Sequence, residues 1–141
     1  MTEVSARVSL AIAVHERTLG LFPAMQVYPV SLERYLTPGR GPLQVTKVHG
    51  QADTLPADGS PVEVNLLALG FGRVKLICLE NLSPYDECAE QIVTLEDAPI
   101  GGSVGQQQVL MASDDLRGWA PDVYRLTGTP GTGFRLLVLG D

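Results

Sequence analysis

The chain closes on three consecutive pieces: Val123-Tyr-Arg-Leu-Thr-Gly128, Thr129-Pro-Gly-Thr-Gly133 and Phe134-Arg-Leu-Leu-Val-Leu-Gly140. In the last, Phe134, Leu136 and Val138 alternate with Arg135, Leu137 and Leu139, the period of two that marks a strand with one buried face. The middle piece is turn chemistry, proline presetting one backbone angle and glycine supplying conformations closed to other residues. A phosphate-cradling loop would read G-x-x-x-x-G-K-[ST] and lead into a helix. Here there is no lysine and a strand follows, so the spacing predicts a hairpin turn.

The same grammar runs upstream. Residues 62–69 and 73–80 are apolar-rich runs on either side of Gly70-Phe71-Gly72, which predicts a second hairpin. Residues 91–95 and 107–111 predict short strands around a loop over 97–105 that holds Pro99, Gly101, Gly102 and Gly105. Residues 43–48 alternate and stop at His49-Gly50, and Pro56-Ala-Asp-Gly59 punctuates the loop that follows. Residues 114–122 form a further loop holding the only tryptophan, Trp119. Near the start, Val8, Leu10, Ile12 and Val14 alternate with Arg7, Ser9, Ala11 and Ala13, which predicts a strand. Residues 16–41, broken by Pro23, Pro29 and Pro38, read as an irregular arm in which Ser31-Leu-Glu-Arg-Tyr-Leu36 allows a helical turn. About eight strands with turn signals every 8–12 residues predict an all-β antiparallel sandwich, jelly-roll-like. Its organisation is an N-terminal strand and irregular arm over residues 1–41, making inter-subunit contacts, and a sandwich domain over 42–141.

Composition agrees and narrows the function. The 141 residues suit one domain with an adequate core, and 45% hydrophobic against 18% charged residues excludes intrinsic disorder. Fifteen glycines and ten prolines favour short strands joined by turns. A net charge of −6, with the ten basic residues scattered singly, argues against a nucleic-acid partner. A mean hydropathy of +0.13 on so few charges leaves apolar surface to be covered, which points to an oligomer or an assembly. No stretch approaches the roughly 18 apolar residues of a membrane span. The first residues, with Glu3 and Arg7 inside an alternation, do not read as a signal peptide. Cys78 and Cys88 read as two reduced thiols of a chain made in the cytoplasm.

Chemistry-bearing constellations are sparse. His15 and His49 lie far apart and His15-Glu16 lacks the H-E-x-x-H continuation, so no zinc site is expected. Asp97, Asp114, Asp115 and Asp122 are the densest acids, but no D-x-D-x-D-G spacing marks a calcium loop, and a solvated turn is the expectation. No serine elbow or cysteine–histidine pairing points to an enzyme. No catalytic, metal or cofactor residue is therefore expected. Trp119 can cap the end of the core or serve as an interface anchor.

Several phrases resemble those of small virion proteins of tailed bacteriophages. They are Leu66-Leu-Ala-Leu-Gly70, Val74-Lys-Leu-Ile-Cys-Leu-Glu-Asn-Leu-Ser83, Gln91-Ile-Val-Thr-Leu95, Ile100-Gly-Gly-Ser-Val-Gly-Gln-Gln-Gln-Val-Leu-Met111, Tyr124-Arg-Leu-Thr-Gly-Thr129 and Phe134-Arg-Leu-Leu-Val-Leu-Gly140. The resemblance covers residues 43–141 and departs at Ile100-Gly-Gly-Ser103, where the family's turn carries a proline. It implies a virion structural protein, foremost a capsid decoration (cement) protein that binds the outer head surface without covalent chemistry. Its partners would be the major capsid protein or other virion proteins and further copies of itself, commonly as a trimer. The alternatives are a tail, neck or baseplate component, and a carbohydrate-binding sandwich. Val8, Leu10, Ile12, Phe22, Tyr28, Tyr35 and Trp119 are the residues expected to make intermolecular contacts.

Overall fold

Phe134, Leu136 and Val138 are fully buried while Arg135 and Leu137 face outward, so the closing strand is the half-buried element its alternation predicts. A computed structural model describes residues 3–17, 25–98, 101–114 and 116–141, among which there are eleven strands and no helix. In chain order they are β1 (Ala6–Arg17), β2 (Met25–Pro38), β3 (Gln44–Val45), β4 (Lys47–Thr54), β5 (Val62–Asn65), β6 (Val74–Asn81), β7 (Val93–Glu96), β8 (Gly102–Val104), β9 (Val109–Ser113), β10 (Val123–Gly128) and β11 (Gly133–Gly140).

The last eight strands make two four-stranded antiparallel sheets, β4-β11-β6-β9 and β5-β10-β7-β8. Four of the pairs, β4 with β11, β5 with β10, β6 with β9 and β7 with β8, are those of one long hairpin doubled back on itself. Two more, β6 with β11 and β7 with β10, close it into two sheets. Ile77, Leu79, Phe134, Leu136 and Val138 of one sheet meet Val64, Val93, Leu95, Tyr124 and Leu126 of the other in a single buried core. The fold is thus an all-β sandwich. Burying alternate residues from both inner faces supplies its main driving force, at roughly 25 cal/mol per Å² of apolar surface.

Two expected hairpins are instead crossovers between sheets. Residues 62–69 do not stay a strand, because the Asn65 side chain accepts the Ala68 N–H at 3.0 Å and turns the chain. Phe71 then enters the core, and β5 and β6 pair in different sheets. The turn at 129–132 likewise joins strands of different sheets. Its backbone bonds to third segments: the Gly131 N–H to the Leu55 carbonyl and the Thr129 N–H to the Ile92 carbonyl, both at 2.9 Å. Gly128, at φ +139, lies where a Cβ would stand 2.0 Å from the Ile92 carbonyl oxygen, so only glycine fits that approach.

Other differences have simple causes. β4 does not stop at His49-Gly50 but runs to Thr54, because β11 pairs with all eight of its residues. The expected loop over 97–105 contains β8, tied to β7 and reinforced by the Thr94 and Ser103 hydroxyls at 2.8 Å. The largest correction is at the arm: residues 25–38, expected irregular with a helical turn at 31–36, are the strand β2. It pairs with β1 from Ala6↔Leu36 to Arg17↔Met25 without a break. Pro29 falls where β2 has a ladder partner on one side only, the edge setting in which proline occurs in sheets.

Candidate functional site

β1 and β2 form a two-stranded ribbon, joined to β3 only through Thr37↔Gln44 and Pro38↔Val45. At a rise of about 3.3 Å per residue, twelve paired residues span roughly 40 Å. The register puts Ala6, Val8, Leu10, Ile12 and Val14 of β1 and Tyr28, Val30, Leu32 and Leu36 of β2 on one alternation set. Arg34, opposite Val8, and Glu16, opposite Gln26, are the charged members of that alternation.

Among the residues whose side chains are described, those at the root seat the ribbon on the sandwich. Val4, Ala6, Val8 and Leu36 pack on Leu76, Leu139 and Cys78, all on the outer face of the sheet β4-β11-β6-β9. The opposite side of the root is polar: Arg7 pairs with Glu33 and lies over the Tyr35 ring, 5.7 Å from its centroid. The exposed Tyr35 hydroxyl donates to Glu33 at 2.7 Å, and that bond raises its pKa above the usual phenol range.

A buried lysine fastens the root. Lys75 is 1% exposed, and its ammonium donates to the carbonyls of Gly41 at 2.9 Å and Gln44 at 2.6 Å. The same ammonium pairs with the Asp141 carboxylate at 3.1 Å. Those partners satisfy all three of its donors and tie the loop leaving the ribbon, β6 and the chain's last residue into one knot. Sequence reading missed it, since Lys75 sits inside the apolar run 74–79 with no local partner.

Beside the root, the ladder sets Gly50, Leu137, Cys78 and Met111 in one row across the outer face. Leu137 is 36% and Met111 44% exposed. One step further lies the row Ala52, Arg135, Glu80 and Val109, where Arg135 pairs with Glu80 at 3.4 Å and Val109 is 59% exposed. Cys78 is half-buried there, and burial foremost, with the Glu80 charge second, raises its thiol pKa and weakens it as a nucleophile. Cys88 is exposed, and the two cysteines are free thiols.

The remaining residues singled out from sequence fall elsewhere. Trp119 is half-buried against the sandwich core and exchanges two backbone bonds with Val74, at 2.8 and 2.9 Å. Leu10, Ile12 and Tyr28 lie in the ribbon by register, and Phe22 lies outside the described residues. The carboxylates serve local ends. Asp114 accepts the Arg117 N–H, Asp122 the Val123 N–H, and Asp97 faces Arg125 at 3.7 Å, whereas Asp115 lies outside the described residues. Among the described residues no three His, Cys, Asp or Glu side chains gather as metal ligands. His49 Nε2 lies 3.1 Å from the side-chain Oε1 of Gln51. Of the whole chain, no known protein family, curated protein or solved structure is a match. The site is therefore defined by its own geometry: a long ribbon, and beside its root an apolar shelf.

Proposed function

We propose that this chain is a structural component of a bacteriophage virion, acting as a capsid decoration protein that cements the outer head surface by non-covalent burial. The observation that carries the reading is the ribbon. An isolated two-stranded hairpin is at best marginally stable in water, so one about 40 Å long whose packing on the sandwich, among the described residues, is at its root calls for a neighbouring chain. We read the doubled-hairpin strand order as that of a jelly roll, an architecture common to capsid proteins and to sugar-binding proteins. The sandwich by itself thus leaves the choice open, and the ribbon favours assembly. Each subunit would offer a ribbon and an apolar shelf to its neighbours, and closed symmetry, with three copies at a three-fold position, would multiply a modest contact over the shell.

The test is immunogold labelling of the phage particles that contain this chain. Dense label over heads is the expected result. Label confined to tails moves the role to a tail, neck or baseplate component, and unlabelled particles refute the virion reading.

A further inference from the structure

The ribbon and the apolar shelf beside its root fit each other across two copies of the chain. Val4 shares a groove with Lys47 and Val48 of β4, and Val8 lies with Leu76 of β6 and Met111 of β9. Between Val4 and Val8 the chain has therefore crossed the sheet from one edge strand, β4, to the other, β9. From Ser9 to Arg17 the strand continues for roughly 30 Å more, at about 3.3 Å per residue. The alternation set that seats Ala6 and Val8 on the sheet continues there as Leu10, Ile12 and Val14, opposite Leu32, Val30 and Tyr28.

The shelf is the surface of matching chemistry. The ribbon root covers the row of Leu139 and Leu76 and reaches only part of the adjoining row on the same face: Cys78 is half-buried and Met111 borders Val8, while Leu137 and Met111 remain 36% and 44% exposed. Rows on one face of a sheet are about 7 Å apart, so a second ribbon would lie alongside the first and extend the contact the first has already begun. The edge of β1 away from β2 also has no ladder partner among the described residues, which leaves backbone donors and acceptors for a strand beside it.

We infer that the distal ribbon of one copy lies on the Leu137–Cys78–Met111 shelf of a second copy, and that exchange of ribbons closes the oligomer. This specifies the self-association invoked above but does not require the virion reading: an oligomer that fails to label particles would leave the exchange intact and sink the cement role, and a labelled particle built from monomers would do the reverse.

The experiment uses the full chain and light scattering coupled to size exclusion, at tens of micromolar. The unmodified chain should run as a closed oligomer of two or three copies. Ile12→Asp spoils the ribbon and Leu137→Asp the shelf, and each should weaken association at least tenfold, to monomer under these conditions. Mixing the two variants should restore a heterodimer, because one retains an intact shelf and the other an intact ribbon, a rescue that misfolded variants could not give. As a second readout, Ile12→Cys and the more exposed Met111→Cys, in a Cys78→Ser, Cys88→Ser background, should be joined between chains by a short bis-maleimide. A monomeric unmodified chain, an oligomer that survives both substitutions, a mixture that stays monomeric, or no cross-link between chains would overturn the inference.

Discussion

The sandwich and the ribbon are both made of apolar alternating strands, yet the sandwich covers its own inner faces, whereas the ribbon's cover is what we propose a second chain supplies. In the sandwich, each sheet has the other to cover its inner face, and buried polar groups find partners. Asn81, 1% exposed, donates to the carbonyls of Gln91 and Val104 at 3.0 Å and accepts the Ser83 N–H. In the ribbon, pairing runs the full length of β1, and the described side chains that pack on the body are those up to Val8 and at Leu36. The difference teaches that alternation specifies a strand with one face to bury; whether the cover lies in the same chain is decided by topology.

The comparison can be broken most forcefully from the sandwich side. Phe134→Ala removes a fully buried ring and should cost about 3–5 kcal/mol in urea unfolding. At a concentration low enough for the unmodified chain to be monomeric, a change at Ile12 should leave the same transition within about 0.5 kcal/mol, as befits a site outside the cooperative core. Lys75→Met should cost about 3 kcal/mol, since it strands the nearly buried Asp141 carboxylate and two carbonyls, and Asp141→Asn in the same chain should recover part of the loss.

A smaller effect comes from the one flaw in the sandwich. Among the described residues Tyr124 alone has a buried side-chain atom without a hydrogen-bond partner, its hydroxyl. Burial foremost, with the Asp122 charge second, pushes its pKa up to about 12. The folded state then holds a proton that the unfolded chain releases near pH 10, so this tyrosine's contribution to stability is complete below about pH 10 and is lost as pH rises through about 12. Tyr124→Phe should be neutral or stabilising by up to about 1 kcal/mol at pH 7, and should flatten that alkaline slope in unfolding curves taken at pH 9 and 11. The smallest effect is kinetic: Cys88 should react with a thiol reagent well before Cys78, whose thiol is half-buried and raised in pKa.

The all-β class and most of the strands were legible because alternation is a local signal, strongest over 134–139 and 8–14. β2 carried the same signal, Tyr28, Val30, Leu32 and Leu36 recurring every second or fourth residue, but Pro29 and Pro38 argued against a strand that in fact has a one-sided edge to hold them. The crossovers at Gly70-Phe71-Gly72 and at 129–132 were not legible. A turn's sequence states that the chain reverses, while its partner sheet depends on distant segments such as Leu55 and Ile92. The shelf was hidden for the same reason, since Leu137, Cys78 and Met111 come together only through the ladder. Lys75 was hidden because its partners, Gly41, Gln44 and Asp141, lie far along the chain.

The most direct test of the division between the two regions is amide hydrogen exchange, resolved by segment, on the unmodified chain and on Leu137→Asp. The account predicts that amides of residues 10–17 and 25–32 are protected in the unmodified chain and exchange rapidly in the variant, while those of β6, β10 and β11 stay protected in both. Ribbon amides equally slow in both proteins would mean that the ribbon needs no neighbour, and would contradict it.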